Sequence, residues 1–431
     1  MKISAKARIA AGVLGLAAAL TLGAALIPGE RQPSEAIATT SGRLTETPVS
    51  AASLTTAIEA LTNRLRRLPK DHQAWSQLGS AYVQQARLTA DPSFYPRAER
   101  ALARSIALSP GDFAALTGQA ALAAGRHDFA EAVRLAGLSV AANPYGQGAQ
   151  AVLADAYTQL GRYGEATRAI DRMMELRPGV AAFTRASYDA ELRGDRTTAR
   201  RMLEHALADA FSPADVAYCH HYLGELALHS GDLREAGEQY RLALKAAPDF
   251  TPALAGVARA AALGGRTAEA IEFYATVVGR LPLAQYVIEY AEVLSKAGRD
   301  PSEQWTLLRA QRDLMAEAGV RDDLTWAEFE ADHGSPSRAV THARAEYARH
   351  PNVVAADVLA WALHRDGRDR EALPYAKKAT ATGWHNALLH RHRAEIERSL
   401  GLAADARRSL ARARVADPAF SAALPALARF S

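Results

Sequence analysis

Prolines recur along this chain at a spacing that leaves room for one kind of architecture. Pro110, Pro144 and Pro178 stand 34 residues apart, as do Pro248 and Pro282. The intervals Pro178–Pro248 (70), Pro282–Pro351 (69) and Pro351–Pro418 (67) are each close to two such periods. Pro69–Pro110, at 41, runs long, and the excess falls in the polar stretch Arg87–Pro96. With that insertion set aside, ten periods separate Pro69 from Pro418. A proline cannot continue a helix and holds the residue before it extended, so each one resets the chain between helices. Such a period means a quasi-one-dimensional stack, in which a unit buries its apolar face only against its neighbours.

The positions inside the period agree. The first unit carries Trp75, Leu78, Gly79 and Tyr82, then Ala98 and Leu102; the third carries Leu153, Ala154, Tyr157, Gly161, Ala166 and Ile170. The fifth has Leu223, Gly224, Gly231, Ala236, Tyr240 and Ala243, and the sixth Val257, Ala258, Gly265, Ala270 and Tyr274. Steps of three and four put each set on one helical face, and a mid-unit glycine supplies the turn between two helices. This pattern resembles the tetratricopeptide repeat, with Trp75-x2-Leu78-Gly79-x2-Tyr82 matching its first half letter for letter. The resemblance implies an all-α, right-handed superhelical solenoid of about ten helix-turn-helix repeats over 53–431, with a concave groove as its binding surface. A half-unit is expected at 53–68, degenerate units near 179–213 and 283–350, and a short capping helix over 419–431. The weakest joints are expected near 205–218 and 298–323.

The first fifty residues are of another kind. Lys2, Lys6 and Arg8 precede an apolar stretch from Ile9 to Ile27 that Pro28-Gly29-Glu30 ends. A basic flank before an apolar run reads as an export signal, and this run is long enough to span a bilayer. Residues 1–29 are therefore expected to be a signal peptide or a signal anchor, with cleavage near Ala38 as the alternative to retention. Either way, the chain beyond is extracytoplasmic. Residues 30–52, rich in Pro, Ser, Thr and Ala, read as a disordered tether.

Little in the chain suggests a reaction. It has no glycine-rich phosphate loop, no Gly-x-Ser-x-Gly elbow and no His-Glu-x-x-His. A single cysteine, Cys219, excludes internal disulfides and thiolate metal clusters. Cys219-His220-His221 cannot converge on one metal from adjacent helical positions, and His390 and His392 do not share a face with each other. A formal charge of +4 argues against nucleic acid. The expectation is a non-enzymatic scaffold for a protein or peptide partner, with no cofactor and no metal. A dedicated accessory subunit of an envelope transport or secretion complex is the alternative.

Register on the first helices assigns the candidate groove contacts: Arg185, Asp189, His221, Glu225, Arg259 and Glu289. The last two units are basic, and Arg391, Arg393, Arg398, Arg408 and Arg412 form a candidate patch for an anionic partner. The plainer reading of those arginines is a solvated face whose alkyl stems cover apolar surface.

Overall fold

The structure, a computed structural model, describes residues 51–429. The expected signal segment and tether lie outside the described residues, apart from the tether's last two positions. Among the described residues the regular structure is helical, and no helix is long and apolar enough to cross a membrane. A leading helix, α1 (Ala51–Arg67), precedes ten helix pairs. Units one to three are α2 (His72–Thr89) with α3 (Phe94–Leu108), α4 (Phe113–Gly125) with α5 (Phe129–Ala142), and α6 (Gln147–Gln159) with α7 (Tyr163–Leu176). Units four to six are α8 (Val180–Leu192) with α9 (Arg196–Ala208), α10 (Pro213–Leu228) with α11 (Leu233–Ala246), and α12 (Thr251–Leu263) with α13 (Thr267–Arg280). Units seven and eight are α14 (Ala284–Lys296) with α15 (Ser302–Glu317) and α16 (Asp323–His333) with α17 (Pro336–Arg349). Units nine and ten are α18 (Val353–Arg365) with α19 (Asp369–Ala379) and α20 (Ala387–Ser399) with α21 (Ala403–Ala416).

The sequence starts these helices with side chains that satisfy the first orphan N–H groups. Asp71, Asp112, Asp128, Asp195, Asp232, Asn352 and Asn386 each accept a bond from a backbone N–H two or three residues on. Most mid-unit turns carry a residue at positive φ, glycine in units three to seven, nine and ten. Unit packing follows the small-and-large alternation seen in the sequence. The ring of Tyr240 lies between α10 and α12, where a Cβ added at Gly224 or Gly256 would come within 2.5 Å and 2.4 Å of it. Tyr240 and Tyr274 are fully buried at equivalent places in successive units.

Consecutive first helices touch, from α2 with α4 through to α18 with α20, the step from α12 to α14 excepted; consecutive second helices make no comparable contact. The first helices therefore line the inside of the curve. The insertion at Arg87–Pro96 is absorbed by an 18-residue α2 that ends on Ala90 at φ 53°. The break in pattern at 298–323 has a structural counterpart: α15 packs on α14 but makes little contact with α16. The segment expected as a capping helix over 419–431 differs. Its described part holds one 3₁₀ turn, Pro425–Ala428, because prolines at 418 and 425 interrupt a run too short to nucleate.

The superhelix closes on itself. The turn inside unit two meets the loop after unit seven, where His127 Nδ1 lies 3.2 Å from the Arg321 carbonyl, and the end of unit eight, where the rings of Phe129 and His350 meet edge-on at 4.8 Å. One unit further on, Asn352 Nδ2 donates to Gln159 O (2.7 Å) and the Val353 N–H to the Tyr163 hydroxyl (3.0 Å). A unit beyond that, Arg196 Nη2 donates to the carbonyls of His229, His385 and Ala416 at 2.8–2.9 Å. The hydrogen bonds His127–Arg321, Asn352–Gln159, Val353–Tyr163 and Arg196–His385 join residues 189 to 194 apart in sequence. Divided by the period of 34, that is about five and a half units per superhelical turn. One rim of each turn rests on the opposite rim of the next.

Candidate binding site

The inner face is built from first helices, and opposite charges stand at matching places on consecutive ones. Arg185 grips Asp155 through two bonds of 2.8 Å from Nε and Nη2, and its Nη1 donates to the Ala181 carbonyl (2.9 Å). Arg259 reaches back to Glu225 (Nη1–Oε2 2.5 Å) and forward to Glu289 (Nε–Oε2 3.6 Å). The Tyr240 and Tyr274 hydroxyls donate to Glu225 and Glu289 at 2.6 and 2.9 Å, and Gln285 Nε2 donates to Glu289 at 2.6 Å. In units nine and ten Asp357 Oδ2 meets His392 Nδ1 at 2.8 Å, and the His392 ring stacks on Trp361 at 4.0 Å. Among the described residues, no group of three or more His, Cys, Asp or Glu side chains is placed to hold a metal.

Burial and charge compete along this ladder. At Glu225 burial pushes the carboxyl up, but Arg259, His221, His229 and the Tyr240 hydroxyl bring it down to about 2. Glu289, wholly buried and further from the guanidinium, is pushed up to about 7 by burial against the pull of Arg259. Burial holds His221 and His229 neutral, with pKa values of about 4. A carboxyl whose pKa is raised on folding is destabilising when ionised. The Glu289 contribution is thus absent below pH 4.5, its ordinary value, and complete above about 7. Glu289→Gln should therefore gain on the parent as pH rises through that window, by about 3 kcal/mol. Urea unfolding at pH 4.5 and pH 8 measures this, and a pH-independent difference contradicts it.

The six groove candidates thus fall into two groups. Arg185, Glu225, Arg259 and Glu289 are buried in ion pairs with neighbouring units, and His221 is buried among Tyr222, Tyr240 and Phe250. Asp189 is nearer the rim, paired with Arg193 (2.8 Å) and accepting from Thr167 (3.1 Å). In the basic patch, Arg391 (2.5 Å) and Arg398 share Glu395, Arg393 pairs with Glu397 (2.8 Å), and Arg408 pairs with Asp405. Arg412 is exposed on α21.

An opening into this interior lies between units seven and ten. A small, partly open cleft of about 60 Å³ is bounded by Gln285 and Ile288 of α14, Glu328 of α16, Asp357 and Val358 of α18, and Leu388 of α20. Trp384 and Asn386 before α20 and the chain's own terminal segment, through Ala426 and Arg429, add to its wall. Leu424 and Leu427 of that segment are buried in a cluster with Tyr290, Val293 and Leu294. Ala426 packs in another cluster with Val287, Ile288 and Phe329, and its N–H donates to Glu292 Oε2 at 3.0 Å. The other Glu292 oxygen meets His333 Nε2 at 2.9 Å. The Arg429 guanidinium enters among carboxylates, hydrogen-bonded to Asp332 and 3.5 Å from Glu328. Burial pushes Glu328 up to about 7 despite that guanidinium.

Glu292, Glu328, Asp332 and Asp357 are not among the candidates that register assigns. The ladder did carry a signal, opposite charges 30 to 35 residues apart, as in Asp155/Arg185 and Glu225/Arg259. The acid cluster carried none, because what gathers it is the return of residues 424–429 across 97 to 134 residues of chain.

No protein-family model and no curated protein matches the chain. Solved structures do. A thermophilic TPR protein of Thermus thermophilus, TTC0263, is 26% identical over 44% of this chain and 98% of its own, with a TM-score of 0.39. The human IFIT1 dimer with m7Gppp-AAAA is 16% identical over 77% of each chain, with a TM-score of 0.48. The P58(IPK) TPR domain is 15% identical over 84% of this chain and 89% of its own, with a TM-score of 0.27. Overall superposition is poor in each case, so the assignment rests on the units themselves. Ten registered helix pairs on a 34-residue period, with small and large residues at the packed positions, make this chain a tetratricopeptide-type repeat protein.

Proposed function

We propose that the chain is a non-enzymatic protein–protein interaction scaffold on the extracytoplasmic side of a bacterial membrane, held there by residues 1–29 through the tether 30–52. In this reading the pairs wind in the right-handed sense that the repeat resemblance implies. The observation that carries the scaffold reading is the cleft at units seven to ten, where the repeat interior already holds a short peptide segment with a single 3₁₀ turn. The rest of the inner face is occupied by its own ion pairs and serves as framework.

The test is chemical crosslinking of the full, C-terminally tagged chain in cells, with affinity recovery from fractionated membranes. Many envelope proteins at substoichiometric levels support a general scaffold. One stoichiometric membrane protein identifies a dedicated accessory subunit of an envelope machine. Recovery of cytosolic proteins alone contradicts the topology.

A further inference from the structure

The terminal segment is held as a bound peptide is held. Residues 422 and 423 are exposed, so the segment reaches its seat through a solvent-facing link. It is fixed there by two bulky side chains three residues apart, one main-chain bond to a buried carboxylate, and one guanidinium. Apolar pockets and main-chain bonds of this sort are the ordinary elements of peptide recognition. The charges do not balance. Glu328 and Asp332 share a single arginine, Glu292 is met by His333, and Asp357, 3% exposed on the cleft wall and paired with His392 through Oδ2, has its Oδ1 without a hydrogen-bond partner. Buried acceptors in excess of donors favour an occupant that brings more positive charge.

We infer that the seat of residues 424–429 is a binding site for a partner peptide of the same chemistry and greater charge. That peptide has two bulky apolar residues three apart, an arginine two residues further on, and a second basic residue beyond it that reaches toward Asp357. The chain's own terminal segment is then a competitor that the partner displaces. This rests on the scaffold reading and names the partner's chemistry.

The probe is a fluorescent peptide copying residues 418–429 with one arginine appended, titrated by anisotropy into the full-length chain. Arg429→Glu sets a carboxylate against Glu328 and Asp332 and releases the internal competitor. The probe should bind that variant about tenfold or more tighter than the parent, since apparent affinity scales with the fraction of open seats. Replacing the arginine at the probe's position 429 by alanine should weaken binding about thirtyfold, as should Glu328→Gln with Asp332→Asn in the released chain. Arg429→Ala, a gentler release, serves the same comparison if the glutamate variant is unfolded by circular dichroism. No binding to a folded released chain overturns the site, as does equal binding of the arginine-free probe. Dimerisation of the released chain in place of probe binding assigns the seat to a second copy and overturns the partner. Membrane partners recovered equally with parent and Arg429→Glu chains leave the scaffold standing and remove this seat. Probe binding with no partner recovered does the reverse.

Discussion

Arg259→Met should destabilise the array by about 3–5 kcal/mol, the cost of leaving buried carboxylates without their counter-charge. Arg259 is 1% exposed and is the cation shared by Glu225 and Glu289. Methionine matches the stem in volume, so the loss is electrostatic and not a cavity. The triple change Arg259→Met, Glu225→Gln and Glu289→Gln should recover most of it, because the amides need no counter-charge and can still bond to Tyr240 and Tyr274. Urea titration of the three proteins decides the matter. If the single and triple variants are equally unstable, the ladder is held by packing and not by charge.

A second large effect is expected where the turns of the superhelix meet. Gly194 sits at φ 80°, and an added Cβ would stand 2.4 Å from the carbonyl oxygen of Gly383, on the next turn. Gly367 has nearly the same conformation, φ 76°, with nothing within 4 Å of an added Cβ. Alanine at Gly367 meets only the backbone penalty of the left-handed region, about 1–2 kcal/mol. Alanine at Gly194 meets that penalty and a collision, worth roughly 1–3 kcal/mol more. The chain can relieve the collision only by parting the two rims. Gly194→Ala should therefore raise the radius of gyration in small-angle scattering while Gly367→Ala leaves it unchanged. Equal scattering from both variants is the contrary result.

The repeat was legible because it depends on local chemistry. Proline spacing, Asp and Asn caps, and the alternation of Gly224 and Gly256 with Tyr240 are all set within one or two units, so a pattern along the chain reports them. The candidate residues were legible only as to face. Arg185 and Arg259 do sit on the inner face, but their burial comes from partners one unit away and from closure of the superhelix. That closure depends on the small rotation from unit to unit, which accumulates over about 190 residues before Arg196 finds His385. No single position encodes it. The terminal segment is the same case: two prolines exclude the expected helix, but nothing local states that Leu424 and Leu427 return to unit seven.

Closure of the superhelix brings the rims, the ladder and the cleft together, and a distance measurement across the rims tests it most directly. Thr197→Cys and Ala381→Cys place labels at two exposed positions that flank the Gly194–Gly383 contact. The native thiol, Cys219, is buried, and burial pushes its pKa up to about 12, so it stays unreactive. Double electron–electron resonance on the full chain should give one short, narrow distance, unchanged on dilution. A broad distribution at long distance would show an open superhelix and would contradict the stacked turns, the closed ladder and the cleft together.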